Sequence, residues 1–217
     1  MTNKRSKITI PTSISSRLEF KSKFSILELY CALVAVPRAI SKLRRNKKHT
    51  LVDSKFIERL QLAVTEVNGC VACSYQHTKI ALQQGMSNEE ISSFLTGGDH
   101  FIKPEEAKAI MFAQHYADSR AFPKKYAYDA IINEYGETTA RIILSACQLM
   151  IAGNMYGIPL SAFQSRLKGK PYKGSSVFYE FGMLIAGIVC LPFAIIHALL
   201  KVLIGLPNEK FDTNTTD

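Results

Sequence analysis

Tryptophan is absent from the 217 residues, so any aromatic core must be built from the 12 phenylalanines and 9 tyrosines. No stretch alternates apolar and polar residues with β-branched enrichment, which excludes a sheet and leaves an all-α fold. The first 24 residues carry Lys4, Arg5, Lys7, Arg17, Lys21 and Lys23 without a continuous apolar run, so no secretory signal pattern is visible. A dense, even set of cysteines is also missing. Of the five, Cys31, Cys147 and Cys190 each stand alone in apolar runs, as small hydrophobes do. That excludes a secreted disulfide scaffold and points to a reducing, cytoplasmic setting. The formal charge is +9, but its lysines and arginines lie in small scattered groups with no interleaved aromatics, so nucleic acid is not the expected partner. Hydrophobic residues make up 47% and charged residues 21%, the balance of a globular chain.

Residues 1–22 are polar and basic and read as a flexible arm. A helical domain is expected over 23–168, a linker over 169–176, an apolar helical segment over 177–205 and a polar tail over 206–217. Within the domain, the first helix is expected over Phe24 to Ile40, ending near Pro37, with Arg44 to His49 as a solvated linker or helix end. Phe56, Leu60, Ala63, Val64 and Val67 recur at spacings of three and four and mark one apolar helix face. Asn68-Gly69 interrupts that helix, and a second is expected from about Cys70 to Gln84, stopped by Gly85. Ser87 and Glu90 have the spacing of a capping box. Pro104 suits the first position of a helix reaching about Ser119. Lys124 to Glu134 and Glu137 to about Met155 follow, separated by Gly136. Phe181 to Leu200 is twenty residues without Lys, Arg, Asp or Glu, long enough to cross about 30 Å of hydrocarbon, with the larger basic cluster on its N-terminal side. It is a candidate membrane anchor that would keep the domain cytoplasmic. Pro192 and His197 interrupt it, and the alternative is a helix or helical pair packed on the domain or a partner subunit.

The chemistry concentrates at Cys70-Val71-Ala72-Cys73. Cysteines three apart on one helical turn are neighbours, and their sulfurs close into a disulfide with little backbone movement. A helix N-terminus lowers a thiol's pKa. His77 follows Cys73 by four residues and shares its face, within reach to take or return a proton. Glu58 or Glu66 would orient the imidazole; spacing alone does not choose between them. Two other readings stand beside this one. Cys70, Cys73 and His77 supply three zinc ligands but no second Cys-x-x-Cys closes a fourth, so no metal is expected, and the pair read as plain buried thiols would do no chemistry.

The pattern Glu58-x11-Cys70-x2-Cys73-x3-His77, followed by Gly85 and Ser87-Asn88-Glu89-Glu90-Ile91, resembles the alkyl hydroperoxidase D-like branch of the carboxymuconolactone decarboxylase family. The resemblance covers roughly residues 50 to 165. It implies an all-helical, homo-oligomeric enzyme without an organic cofactor, whose dithiol reduces hydroperoxides or passes electrons to a peroxiredoxin partner. By position it implies that Cys73 attacks peroxide, Cys70 resolves the sulfenic acid, and His77 with Glu58, rather than Glu66, forms the proton relay. Ala72 stands where family members often carry an aromatic residue. The competing reading is a membrane-associated redox sensor or scaffold without efficient turnover.

Overall fold

The computed structural model describes residues 10–214. Among them the regular structure is helical: α1 (Thr12–Ser15), α2 (Ile26–His49), α3 (Ser54–Asn68), α4 (Val71–Gln83), α5 (Asn88–Leu95), a single 3-10 turn (Pro104–Glu106), α6 (Ala107–Asp118), α7 (Lys125–Leu167) and α8 (Val177–Leu203). The chain is all-α, as its patterning implies.

The core is organised around α3 and the second half of α7. The apolar face of α3 is buried through Phe56, Leu60, Ala63 and Val64, and its other sides are covered too, with Arg59, Leu62 and Thr65 also buried. α3 packs on α4, α5, α6 and α7, while α2, α7 and α8 all pack on one another. Because α3 has no solvated face, its charged residues must be matched internally. Arg59 donates from Nε and Nη2 to the two carboxylate oxygens of Glu106, both at 2.6 Å, and from Nη1 to Glu90 at 3.1 Å. This explains why Ser87 and Glu90 form only half of a capping box. The Ser87 hydroxyl accepts from the Glu90 N–H at 3.0 Å, but the Glu90 carboxylate is engaged by Arg59.

Several elements outrun their sequence signals. α2 does not end near Pro37; it continues to His49, with Pro37 inside it. Lysine and arginine are good helix formers and favour the negative end of the helix dipole, so the basic run extends the helix until Thr50 turns left-handed at φ 50°. α7 is two helical stretches joined at Gly136, whose φ 76° and ψ 156° are not helical, so the break expected there is present; the second stretch runs past Met155 through Pro159 to Leu167, packed on most sides. α8 is likewise continuous through Pro192.

Residues 1–9 of the expected flexible arm lie outside the described residues. Residues 10–22 lie along the body rather than free of it. Ile14 is buried, and Lys21 Nζ donates to the Glu66 carbonyl oxygen at 2.7 Å. The ring of Phe20 meets Tyr172 and Tyr179 edge-on, and the Lys173 N–H donates to the Leu18 carbonyl at 2.6 Å. Apolar residues interspersed among the basic ones make these contacts, which a reading by net charge overlooks.

Candidate functional site

α3 ends at Asn68 because Gly69 takes the left-handed conformation, φ 72°, and turns the chain back into α4. The turn sets Cys70 at the N-cap of α4 and Cys73 at its third residue. The two sulfurs are bonded as a disulfide, with their Cα atoms 5.3 Å apart. The Cys73 N–H donates to Cys70 Sγ at 3.2 Å, so Cys70 caps the helix with sulfur where serine or aspartate would use oxygen. A negative charge on Cys70 would face the positive end of α4. Cys70 is fully buried, whereas Cys73 is 9% exposed. Cys73 Sγ lies 3.6 Å from the Gly153 carbonyl oxygen, which can accept a thiol hydrogen in the reduced pair.

His77 stands one turn further along α4. Its Nδ1 is 2.6 Å from Glu58 Oε1, and Glu58 is 3% exposed. With Glu58 ionised its carboxylate only accepts, so the contact then takes a proton on Nδ1 and turns Nε2 away from Glu58. The fold therefore brings Glu58, on α3, to His77 across the Gly69 turn. Glu66 goes elsewhere: it pairs with Lys21. The ligand trio considered for zinc is not assembled, since the two sulfurs are bonded to each other and His77 is held by Glu58. Among the described residues no three His, Cys, Asp or Glu side chains cluster as a metal site.

The opposite wall of the site comes from α7, which the sequence reading did not include. Gly153, Gly157 and Ser161 recur every four residues and so share one helix face. A Cβ on Gly157 would stand 2.6 Å from Cys73 Sγ and 2.7 Å from Cys70 Sγ, so only glycine lets the backbone approach both sulfurs. Ser161 Oγ accepts the Ala72 N–H at 3.0 Å and donates to the Gly157 carbonyl at 2.8 Å, satisfying another free amide at the start of α4. Asn154, fully buried, locks α7 to α3 by donating to the Val64 carbonyl at 3.3 Å and accepting from Thr65 Oγ1 at 3.4 Å. Gly153 is exposed, and a Cβ there would meet nothing within 4 Å. The available signal was the four-residue spacing of small residues inside an otherwise bulky apolar run.

On the far side, the N-terminal segment covers the turn. A Cβ on Gly69 would collide with Arg17 Nη1 and Lys21 Cβ. The remaining cysteines are unlike the pair. Cys147 is buried and its thiol is pushed up by that burial, while Cys31 is exposed and Cys190 half-buried, both without a partner thiol. A cavity of 590 Å³ lies between α2, α7, α8 and the tail, and none of Glu58, Cys70, Cys73 or His77 lines it. These four residues therefore lie outside that cavity.

No curated protein and no solved structure matches the chain. Residues 35–114, which contain Glu58, Cys70, Cys73 and His77, match the model of the carboxymuconolactone decarboxylase family.

Proposed function

We propose that the chain is a dithiol peroxidase and disulfide oxidoreductase of the alkyl hydroperoxidase D-like type. The observation that carries this reading is a Cys-x-x-Cys disulfide at a helix start, one turn from an imidazole held by a buried glutamate. In the reduced enzyme the Cys73 thiolate, the less buried of the two, attacks the terminal oxygen of a hydroperoxide. The O–O bond breaks, the alcohol leaves with the proton that His77 took from the Cys73 thiol, and Cys73 becomes a sulfenic acid. Cys70 then attacks the Cys73 sulfur; the S–S bond forms, the S–O bond breaks, and water departs. An external dithiol, or a peroxiredoxin-type protein partner, restores the pair by attacking Cys73. Cys70 leaves as a thiolate that accepts the Cys73 N–H, and the donor's second thiol releases Cys73 as its own disulfide forms. Homo-oligomeric assembly belongs to the same reading. No bound organic cofactor is required.

Steady-state peroxide consumption with dithiothreitol tests this. Cys73→Ser should abolish turnover, a loss of about 10³-fold or more if nucleophile and base act as one unit. His77→Gln should lower it with the fold intact. Full activity in Cys73→Ser would remove the mechanism. A single oxidation without turnover would favour the redox sensor, a reading that the near-complete burial of both sulfurs supports.

A further inference from the structure

α8 leaves a large apolar surface uncovered. Phe178 is 91% exposed, Ile188 66%, Phe193 61% and Leu203 80%. Patches of this extent on soluble proteins mark an interaction site. The hydrogen-bonding side chains of the helix point the other way. Tyr179 bonds the Phe24 backbone, Glu180 is held by Arg166 at 2.7 Å and 2.9 Å, and His197 Nδ1 is 3.1 Å from the Tyr30 hydroxyl. The outward face thus offers almost no donors or acceptors, whereas a protein interface carries about one hydrogen bond per 100–200 Å².

Both ends of α8 are fastened to the same body. Before it, Lys173 bonds Leu18. After it, Asn208 Nδ2 donates to the Ala35 carbonyl at 3.2 Å, Phe211 stacks on Tyr128 with centroids 4.8 Å apart, and Asp212 pairs with Lys124 at 2.8 Å. Along its length the helix lies against α2, with Gly187 beside Leu29 and Ala194 and Ala198 packed with Val34. A helix held this way cannot cross a bilayer unless the Arg166–Glu180 pair and the charged ends of α2 enter hydrocarbon with it, which is costly.

We propose that the outward face of α8 docks in the plane of an anionic membrane leaflet, as an interfacial rather than a spanning helix. The apolar side chains would sink into the boundary between headgroups and acyl chains. Exposed Lys168, Lys170 and Lys173 before the helix, and Lys210 after it, meet the headgroup charge. The same lysines disfavour a second copy on this face. Because both ends are basic, either direction of pairing sets lysine against lysine. This inference does not depend on the dithiol chemistry.

The test is flotation of the full chain with phosphatidylcholine vesicles, with and without phosphatidylglycerol. The chain should float with the anionic vesicles. Ile188→Ser combined with Phe193→Ser should weaken binding roughly tenfold or more. Replacing Lys168, Lys170 and Lys173 with glutamine should weaken it roughly fivefold per lysine on anionic vesicles alone. Lys173→Cys and Lys210→Cys, in a chain lacking Cys31 and Cys190, should both react with an impermeant maleimide added outside the vesicles. Four results would each overturn the proposal: no flotation, flotation indifferent to the apolar substitutions, one end protected until detergent is added, or a solution dimer that the apolar substitutions split. Peroxide turnover of the same variants in detergent keeps this outcome separate from that of the redox reading.

Discussion

α7 and α8 are both long and apolar enough to cross a membrane by composition, yet they meet opposite surroundings. The most apolar window of α7 is 83% buried inside the protein, and that of α8 is 33% buried. The polar residues explain the difference. In α7, Ser145, Gln148, Asn154 and Ser161 are buried among the apolar ones, and Asn154 and Ser161 bind the backbones of α3 and α4. Such residues are tolerated inside only where a partner is in place, so they record a packed neighbour. In α8 the polar groups lie on one side and the opposite side has none. Hydropathy counts how much apolar surface exists; the position of the sparse polar atoms tells what covers it.

Substitutions that separate the two helices sharpen this comparison. Ile143→Ala in α7, a fully buried site, should cost about 2–5 kcal/mol in urea unfolding. A cost near zero would mean that α7 is not the core. Gly157→Val should cost about 1–3 kcal/mol, since the added atoms meet two sulfurs, and it should also slow closure of the Cys70–Cys73 bond, read by thiol alkylation.

A smaller effect is expected at the start of α2, the helix to which α8 is docked. Burial tends to raise the Glu28 carboxyl, but hydrogen bonds from Arg120 and Ser25 outweigh it and lower its pKa from 4.5 to about 2. A depressed folded value means that the stabilisation is complete above the unfolded pKa and is lost as pH falls from about 4.5 towards 2. Both partners are partly solvated, so the loss should be on the order of 1 kcal/mol, and Glu28→Gln should remove that part of the acid dependence. Smallest of all, Ile188→Ser on the exposed side of α8 should change unfolding of the detergent-free protein by no more than about 0.5 kcal/mol. A large loss there would show that α8 is covered in solution.

Much of the helical order was legible in sequence, because spacings of three and four, Gly69 and Ser87 each act locally. The ends of α2 and α7 were not. Pro37 read as a stop and the last domain helix as ending near Met155, but packing on both flanks carries the helices through Pro37 and Pro159. The candidate site was legible where its residues lie at the start of α4, on successive turns of one face. The Glu58–His77 contact depends on how sharply Gly69 folds α4 back against α3, and periodicity does not encode that angle. The α7 wall, some eighty residues away in sequence, was invisible for a related reason. Gly153, Gly157 and Ser161 are informative only once the sulfurs they face are known.

In the proposed cycle Cys73 meets peroxide first. The most direct measurement is mass spectrometry of reduced Cys70→Ser after a brief exposure to one equivalent of hydroperoxide in the presence of a sulfenic-acid trap. The trap should be found on Cys73, and His77→Gln in the same background should slow its appearance. Cys73 still a free thiol after the peroxide has been consumed, or the trap on Cys31 or Cys190 instead, would contradict it.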